Sequence, residues 1–233
     1  MSNATEENIK HFGSTKSIEA YSSDYLRSSE RYVIDNFAKP GARVLDLGCG
    51  TGRTTLYIYR NVADSQPRGE VIGVDPAESM IERGKELHPE LDLRVGDARK
   101  LEFPDNYFDL VFFSFNGLDN LFPVSERERA VQEIKRVLKS AGVFAYSSHN
   151  SLALPHTVRG LRDWLLNLPH FRIGPHYRKE NHDFGSLIQY YNNVWNESRI
   201  IQHSGLTLLT RLGHPLTERF PMYISKKIGS TTD

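Results

Sequence analysis

Cysteine is nearly absent: Cys49 is the only one in 233 residues. A single thiol excludes an internal disulfide framework. Long hydrophobic runs are missing too, and none approaches the roughly 20 apolar residues that a bilayer-spanning helix needs. Nor is there an excess of charge, with 29 Lys and Arg against 29 Asp and Glu. A neutral chain has no broad positive field to gather nucleic acid or an anionic membrane, so both are disfavoured as partners. The first residues, Met1 to Glu7, lack the basic and then apolar pattern of an export signal, and the expectation is a cytoplasmic protein. Nothing in the pattern sets an oligomeric state.

What is present is length enough for one α/β domain with a buried core and a modest insertion. The chain is organised around Arg43 to Arg53. Val44, Leu45 and Leu47 form a short apolar run broken only by Asp46, as in a buried strand of a parallel sheet. Gly48, Gly50 and Gly52 follow at alternate positions. Without a Cβ, such a loop can turn sharply and lie close against a ligand. A helix is expected from Thr54. Strand, glycine turn and helix together make the nucleotide-binding arrangement of doubly wound folds. A dinucleotide fingerprint would need a further glycine where Arg53 stands, which counts against a nicotinamide oxidoreductase.

The string Val-Leu-Asp-Leu-Gly-Cys-Gly-Thr-Gly-Arg, residues 44–53, resembles motif I of the class I S-adenosylmethionine-dependent methyltransferases. The resemblance implies an α/β, doubly wound, Rossmann-like sheet of seven strands, mostly parallel, with the last strand antiparallel. It implies one domain over residues 1–233, made of a helical lid (1–40), a cofactor-binding core (41–150), a substrate-side insert (151–190) and a closing helix and strands (191–228). The implied cofactor is S-adenosylmethionine, with S-adenosylhomocysteine as its product.

Residues 70–75 read as the second strand, ending in Asp75. A carboxylate there can accept hydrogen bonds from both hydroxyls of a ribose. Asp75 can also cap the helix that Pro76 opens. In the resembled family Met80 lies against the adenine, and Asp97 with Ala98 meets its amine. Asp46, Gly48, Cys49, Gly50, Pro76 and Ser114 complete the implied cofactor contacts, and Tyr25 (or Tyr21) is the candidate for the methionine end. Asn116, Asp119 and Asn120 follow the apolar strand 110–115 and are the expected substrate-side residues, with Tyr191. No Asn/Asp-Pro-Pro-aromatic motif stands there, which argues against amino methylation of DNA bases. His149, after the fifth strand, is the candidate general base, since imidazole titrates nearest neutrality.

Outside these motifs, residues 1–17 read as loose and 17–37 as one or two helices. Ser125 and Glu128 are spaced as a capping box for a helix running to Lys139. The insert carries an expected amphipathic helix at 157–168, four histidines (156, 170, 176, 182) and more cations than acids. Such an insert could recognise a carboxylate or phosphate. Its histidine spacing fits no metal-ligand pattern, and no metal is expected. The expected function is methyl transfer to an O, N or C atom of a small metabolite. The alternatives are a catalytically silent S-adenosylmethionine-binding protein and, less favoured, an NAD-dependent oxidoreductase.

Overall fold

The computed structural model describes residues 4–22, 25–154, 161, 162, 165, 176–182 and 185–228. Five strands run parallel: β1 (Arg43–Leu47), β2 (Glu70–Asp75), β3 (Asp92–Val95), β4 (Phe108–Phe113) and β5 (Leu138–Ser147). Two more, β9 (Leu206–Leu212) and β10 (Met222–Lys227), complete a seven-stranded sheet ordered β3-β2-β1-β4-β5-β10-β9. Strand β10 is antiparallel to both neighbours. The expected fold class is therefore the observed one, closing strand included.

The central strands are continuous apolar runs because both sheet faces are covered. Side chains alternate between the faces. Val44, Leu110 and Phe112 pack on one side with α3 (Ser28–Phe37) and α4 (Arg53–Val62). Leu45, Leu47, Val111 and Phe113 pack on the other with α6 (Val124–Val137) and α7 (Val194–His203). Helix α5 (Glu78–Leu87) lies over β2 and β3. Each crossover returns the chain so that loops after β1, β2 and β4 meet at one end of the sheet, where ligands bind in such folds.

Three expectations are corrected. Residues 4–17 are not loose: they hold α1 (Ala4–Phe12) and the start of α2 (Thr15–Tyr21), whose remainder falls in the expected helical stretch. The inward positions of α1 include Thr5 and Asn8, polar groups that a hydrophobic count overlooks. Thr5 Oγ1 bonds Phe122 at both its carbonyl (3.0 Å) and its N–H (2.8 Å), and Asn8 bridges Asn120 and Ile188. Residues after 175 are not simply irregular: β7 (His176–His182) and β8 (Gly185–Asn192) form an antiparallel hairpin. With β6 (His149–Asn150) it makes a second sheet ordered β6-β8-β7. The expected helix at 157–168 lies largely outside the described residues. Finally, the capping box at Ser125 does not form, because α6 already begins at Val124 and leaves Ser125 inside the first turn.

No helix among the described residues is long and apolar enough to cross a membrane. None of them gathers three or more His, Cys, Asp or Glu side chains in a metal-binding group.

The two sheets are joined by a buried charge network. Arg127 on α6 pairs with Glu197 on α7, and both are essentially inaccessible. Tyr146 (2.7 Å), Asn192 (3.0 Å) and Tyr190 (3.4 Å) also donate to the Glu197 carboxylate. Burial alone would raise the Glu197 carboxyl, but the Arg127 charge and these hydrogen bonds outweigh it and hold it low. A depressed carboxyl contributes stability above its unfolded pKa and loses it as pH falls through the folded value. Glu197→Gln, which leaves the buried Arg127 charge with only the more distant Asp119 carboxylate at 3.8 Å, should cost about 3 kcal/mol at neutral pH. The penalty should shrink in acid. Urea unfolding of both proteins at pH 7 and pH 4 checks this; equal penalties at both would contradict it.

Candidate active site

The loop after β1 is built on three left-handed glycines, Gly48 (φ +61°), Gly50 (φ +56°) and Gly52 (φ +92°). Side chains rarely adopt this region. A Cβ on Gly48 would also lie 2.8 Å from the Phe113 ring. At Gly50 the surroundings differ: a Cβ would meet only Met80 Sδ, at 4.0 Å. The space above Gly50 is open, and it is the floor of a cleft.

Asp46 lies behind this loop and does not line the cleft. It is fully buried, and its Oδ2 accepts from the Thr54 and Thr55 hydroxyls at 2.6 and 2.7 Å. Strand β1 is thereby tied to the first turn of α4, which fixes the path of the glycines between them. Its Oδ1 has no partner. Burial raises the carboxyl to about 6 despite the two hydroxyls.

Asp75, at the end of β2, is the hinge of the site. Its Oδ2 accepts from the Gly50 N–H and its Oδ1 from the Ala77 N–H, both at 2.9 Å. The expected helix cap is corrected: α5 begins at Glu78 with Ala77 as its N-cap, so the Asp75 side chain holds the residue before the helix and does not cap it. Each oxygen keeps a lone pair for a further donor. Burial raises its pKa, opposed by those two backbone bonds.

Cys49, Pro76, Met80, Asp97, Ala98, Ser114 and Asn120 line the same cleft. The Cys49 thiol is buried and pushed well up, which keeps it protonated. Asp97 is engaged by a residue that sequence reasoning missed. Arg99 contacts it through Nε (2.8 Å) and Nη2 (2.6 Å), and its N–H donates to Oδ1 at 2.8 Å. Burial would raise Asp97, but Arg99 holds it below the usual carboxylate range. Arg99 also reaches Glu126 of α6 and Glu6 of α1. Thr5, Asn8, Ile9 and Phe12 of α1 form one wall of the cleft. They were missed because α1 itself was not expected.

The remaining predicted residues stand apart from the cleft lining. Tyr25 is exposed, and its carbonyl, not its ring, receives Arg53. The Tyr21 side chain lies outside the described residues. Asn116 is buried with a left-handed backbone (φ +59°), its N–H on Ser147 Oγ at 2.8 Å. Asp119 and His149 form a buried pair: Asp119 Oδ2 meets His149 Nδ1 at 2.8 Å and its N–H at 2.7 Å, while Oδ1 accepts from Ser148. The His149 ring packs on Tyr191 (4.6 Å) and edge-on to Phe220 (5.2 Å). Asp119, His149 and Tyr191 thus cluster at the second sheet, while Asn116 is tied to β5 of the main sheet.

The cleft suits an adenosine-bearing cofactor. It offers an open glycine floor, an acid with free lone pairs at the end of β2, and apolar Met80. The raised Asp46 gives a direct check on the loop. A carboxyl raised on folding favours the protonated state, so its contribution falls as pH rises from about 4 to about 6. A shift of about two units corresponds to about 3 kcal/mol at most. Asp46→Asn retains an acceptor for the two threonines and has no charge to bury. Its stability relative to the unsubstituted protein should therefore improve between pH 4 and pH 7, as read by urea unfolding. A constant difference would contradict a raised Asp46.

Comparison with known proteins agrees with this geometry. Residues 44–142 match the family described as "Methyltransferase domain". A demethylmenaquinone methyltransferase of Staphylococcus aureus is 37% identical over 129 residues, covering 54% of this chain. The chain spans about half (51%) of that relative's length. Among solved structures, an S-adenosylmethionine-dependent methyltransferase of Methanosarcina mazei superposes with a TM-score of 0.65 at 16% identity, covering 84% of this chain and 97% of its own. The CcbJ methyltransferase of Streptomyces caelestis superposes with a TM-score of 0.63 at 17% identity, covering 91% and 95%. Residues 44–142 thus match a methyltransferase domain, and the sheet that carries them has the fold of the S-adenosylmethionine-dependent methyltransferases it superposes on.

Proposed function

We propose that this chain is an enzyme that transfers the methyl group of S-adenosylmethionine to an oxygen, nitrogen or carbon atom of a small metabolite. The observation that carries the reading is Asp75, which joins the glycine loop to the start of α5 and lines the cleft beside the open floor of Gly50. The cofactor supplies a methyl group that is already activated. The protein's part is then to position the acceptor in line with it, an effect worth several kcal/mol.

In this reading Asp75 takes the ribose hydroxyls, Met80 packs on the adenine, and Asp97, held by Arg99, faces its amine. Ser114 and Asn120 stand on the methyl side. His149 serves as general base where the acceptor must lose a proton. Asp119 accepts from Nδ1–H and leaves Nε2 as the basic nitrogen. The wall formed by α1 restricts the space beside the cofactor, which favours a small acceptor. The Staphylococcus aureus relative is named for a metabolite, demethylmenaquinone, which also supports a small-molecule acceptor.

Incubating the protein with labelled S-adenosylmethionine and a small-molecule extract should place label in a compound under about 1 kDa, an order-of-magnitude bound set by the cleft. Asp75→Ala should weaken S-adenosylhomocysteine binding at least tenfold. His149→Gln should lower kcat about a hundredfold with KM little changed, the size expected for a lost general base. Label appearing only in protein or RNA would refute the small acceptor, and an unchanged kcat in His149→Gln would remove the base.

A further inference from the structure

Between the cofactor cleft and the His149–Asp119 pair lies one cation that nothing above uses. The guanidinium carbon of Arg27 sits 4.3 Å from the centroid of the Phe115 ring and 4.7 Å from that of Phe220. Phe115 lines the cofactor cleft, directly after Ser114. Phe220 packs edge-on against His149. A single side chain therefore spans the gap in which an acceptor would lie, from the methyl side of the cleft to the candidate base.

Arg27 is half-buried, and burial lowers its pKa. Among the described residues it has no ion-pair partner, although acids are near. Glu30 is spent on Arg53, which takes both carboxylate oxygens at 2.8 and 2.9 Å. Glu30 also accepts from the Arg27 backbone N–H at 2.8 Å, which fixes the main chain and leaves the side chain out of the pairing. Glu218 accepts from the Phe220 N–H at 3.1 Å. Arg53 lies 5.4 Å from the Phe115 ring and Arg219 lies 5.5 Å from the Phe220 ring. Among the described residues Arg53 takes Glu30, and Arg27 is left against the two rings with no carboxylate at ion-pair distance. A partly buried cation held by ring faces alone still lacks a counter-charge, which an anionic ligand would supply.

We propose that Arg27 receives a carboxylate on the methyl acceptor, with the rings of Phe115 and Phe220 against the acceptor's apolar body, so that the substrate is a small apolar or aromatic acid. The proposal rests on the methyltransferase reading. A planar guanidinium takes a carboxylate through two parallel hydrogen bonds, which would orient the acceptor as well as hold it. A lysine cannot reproduce that fork.

The test uses the full chain saturated with S-adenosylhomocysteine. Its probes are benzoate and salicylate, their neutral amides benzamide and salicylamide, and phenyl phosphate, with binding read by saturation-transfer NMR. The proposal predicts that the acids bind at least tenfold more tightly than the amides. It predicts that Arg27→Gln loses this preference and that Arg27→Lys keeps only part of it. S-adenosylhomocysteine affinity should stay within about threefold in both variants, which also shows that they fold. Acids and amides binding alike, no probe binding, or preference surviving in Arg27→Gln would each overturn the proposal. Phenyl phosphate preferred over the acids would overturn the carboxylate assignment. Failure of S-adenosylhomocysteine to bind the unsubstituted protein would instead refute the methyltransferase reading, and so would be told apart.

Discussion

The Asp75 carboxylate holds the candidate site together. Its two oxygens take the N–H groups of Gly50 and Ala77, and so bind the glycine loop of β1 to the first residues after β2. Those two strands are neighbours in the sheet, so the carboxylate spans a fixed gap. Asp46 acts one layer below, clamping β1 to α4 through Thr54 and Thr55. Two acids, one at the surface of the cleft and one beneath it, hold three glycines in a backbone shape that side chains seldom permit. A loop fixed in this way is ready for its ligand before the ligand arrives, which saves ordering entropy on binding.

The substrate side is built differently. There the main sheet gives way to the small sheet of β6, β8 and β7, and the join is made by buried polar groups. Arg127, Glu197, Tyr146, Tyr190 and Asn192 form one part of the network, and Asp119, Ser148 and His149 form the other, joined by the Arg127–Asp119 pair at 3.8 Å. Such networks fix orientation at the expense of raw stability. Rigid orientation is what a group poised for proton transfer needs. Helix α1 closes the arrangement from above through Thr5 and Asn8, so the cleft wall and the small sheet are fastened to the same helix.

The sequence made the cofactor half legible because that half is local. Val44 to Gly52 encode strand, turn and acid within a single stretch, and Asp75 announces itself by ending an apolar strand. The substrate half was legible only in parts. Helix α1 faces inward with Thr5 and Asn8, so a reading that counts apolar residues takes it for a loose tail. Strand β7 is largely polar, and no alternation marks it, whereas the run Leu187 to Tyr191, bounded by Gly185, did carry a strand signal. Arg99 could not be anticipated at all: its role depends on Asp97, Glu126 and Glu6 converging in space. Tyr25 was placed by resemblance alone, and the chain turns it outward.

The central claim is that the cleft over Gly50 is shaped for S-adenosylmethionine and not for a nicotinamide dinucleotide. Calorimetric titration of the unsubstituted protein with S-adenosylhomocysteine and, separately, with NAD tests it most directly. The account predicts one-to-one binding of S-adenosylhomocysteine in the micromolar range or tighter, and no heat from NAD at the same concentrations. Tight NAD binding with no response to S-adenosylhomocysteine would contradict it.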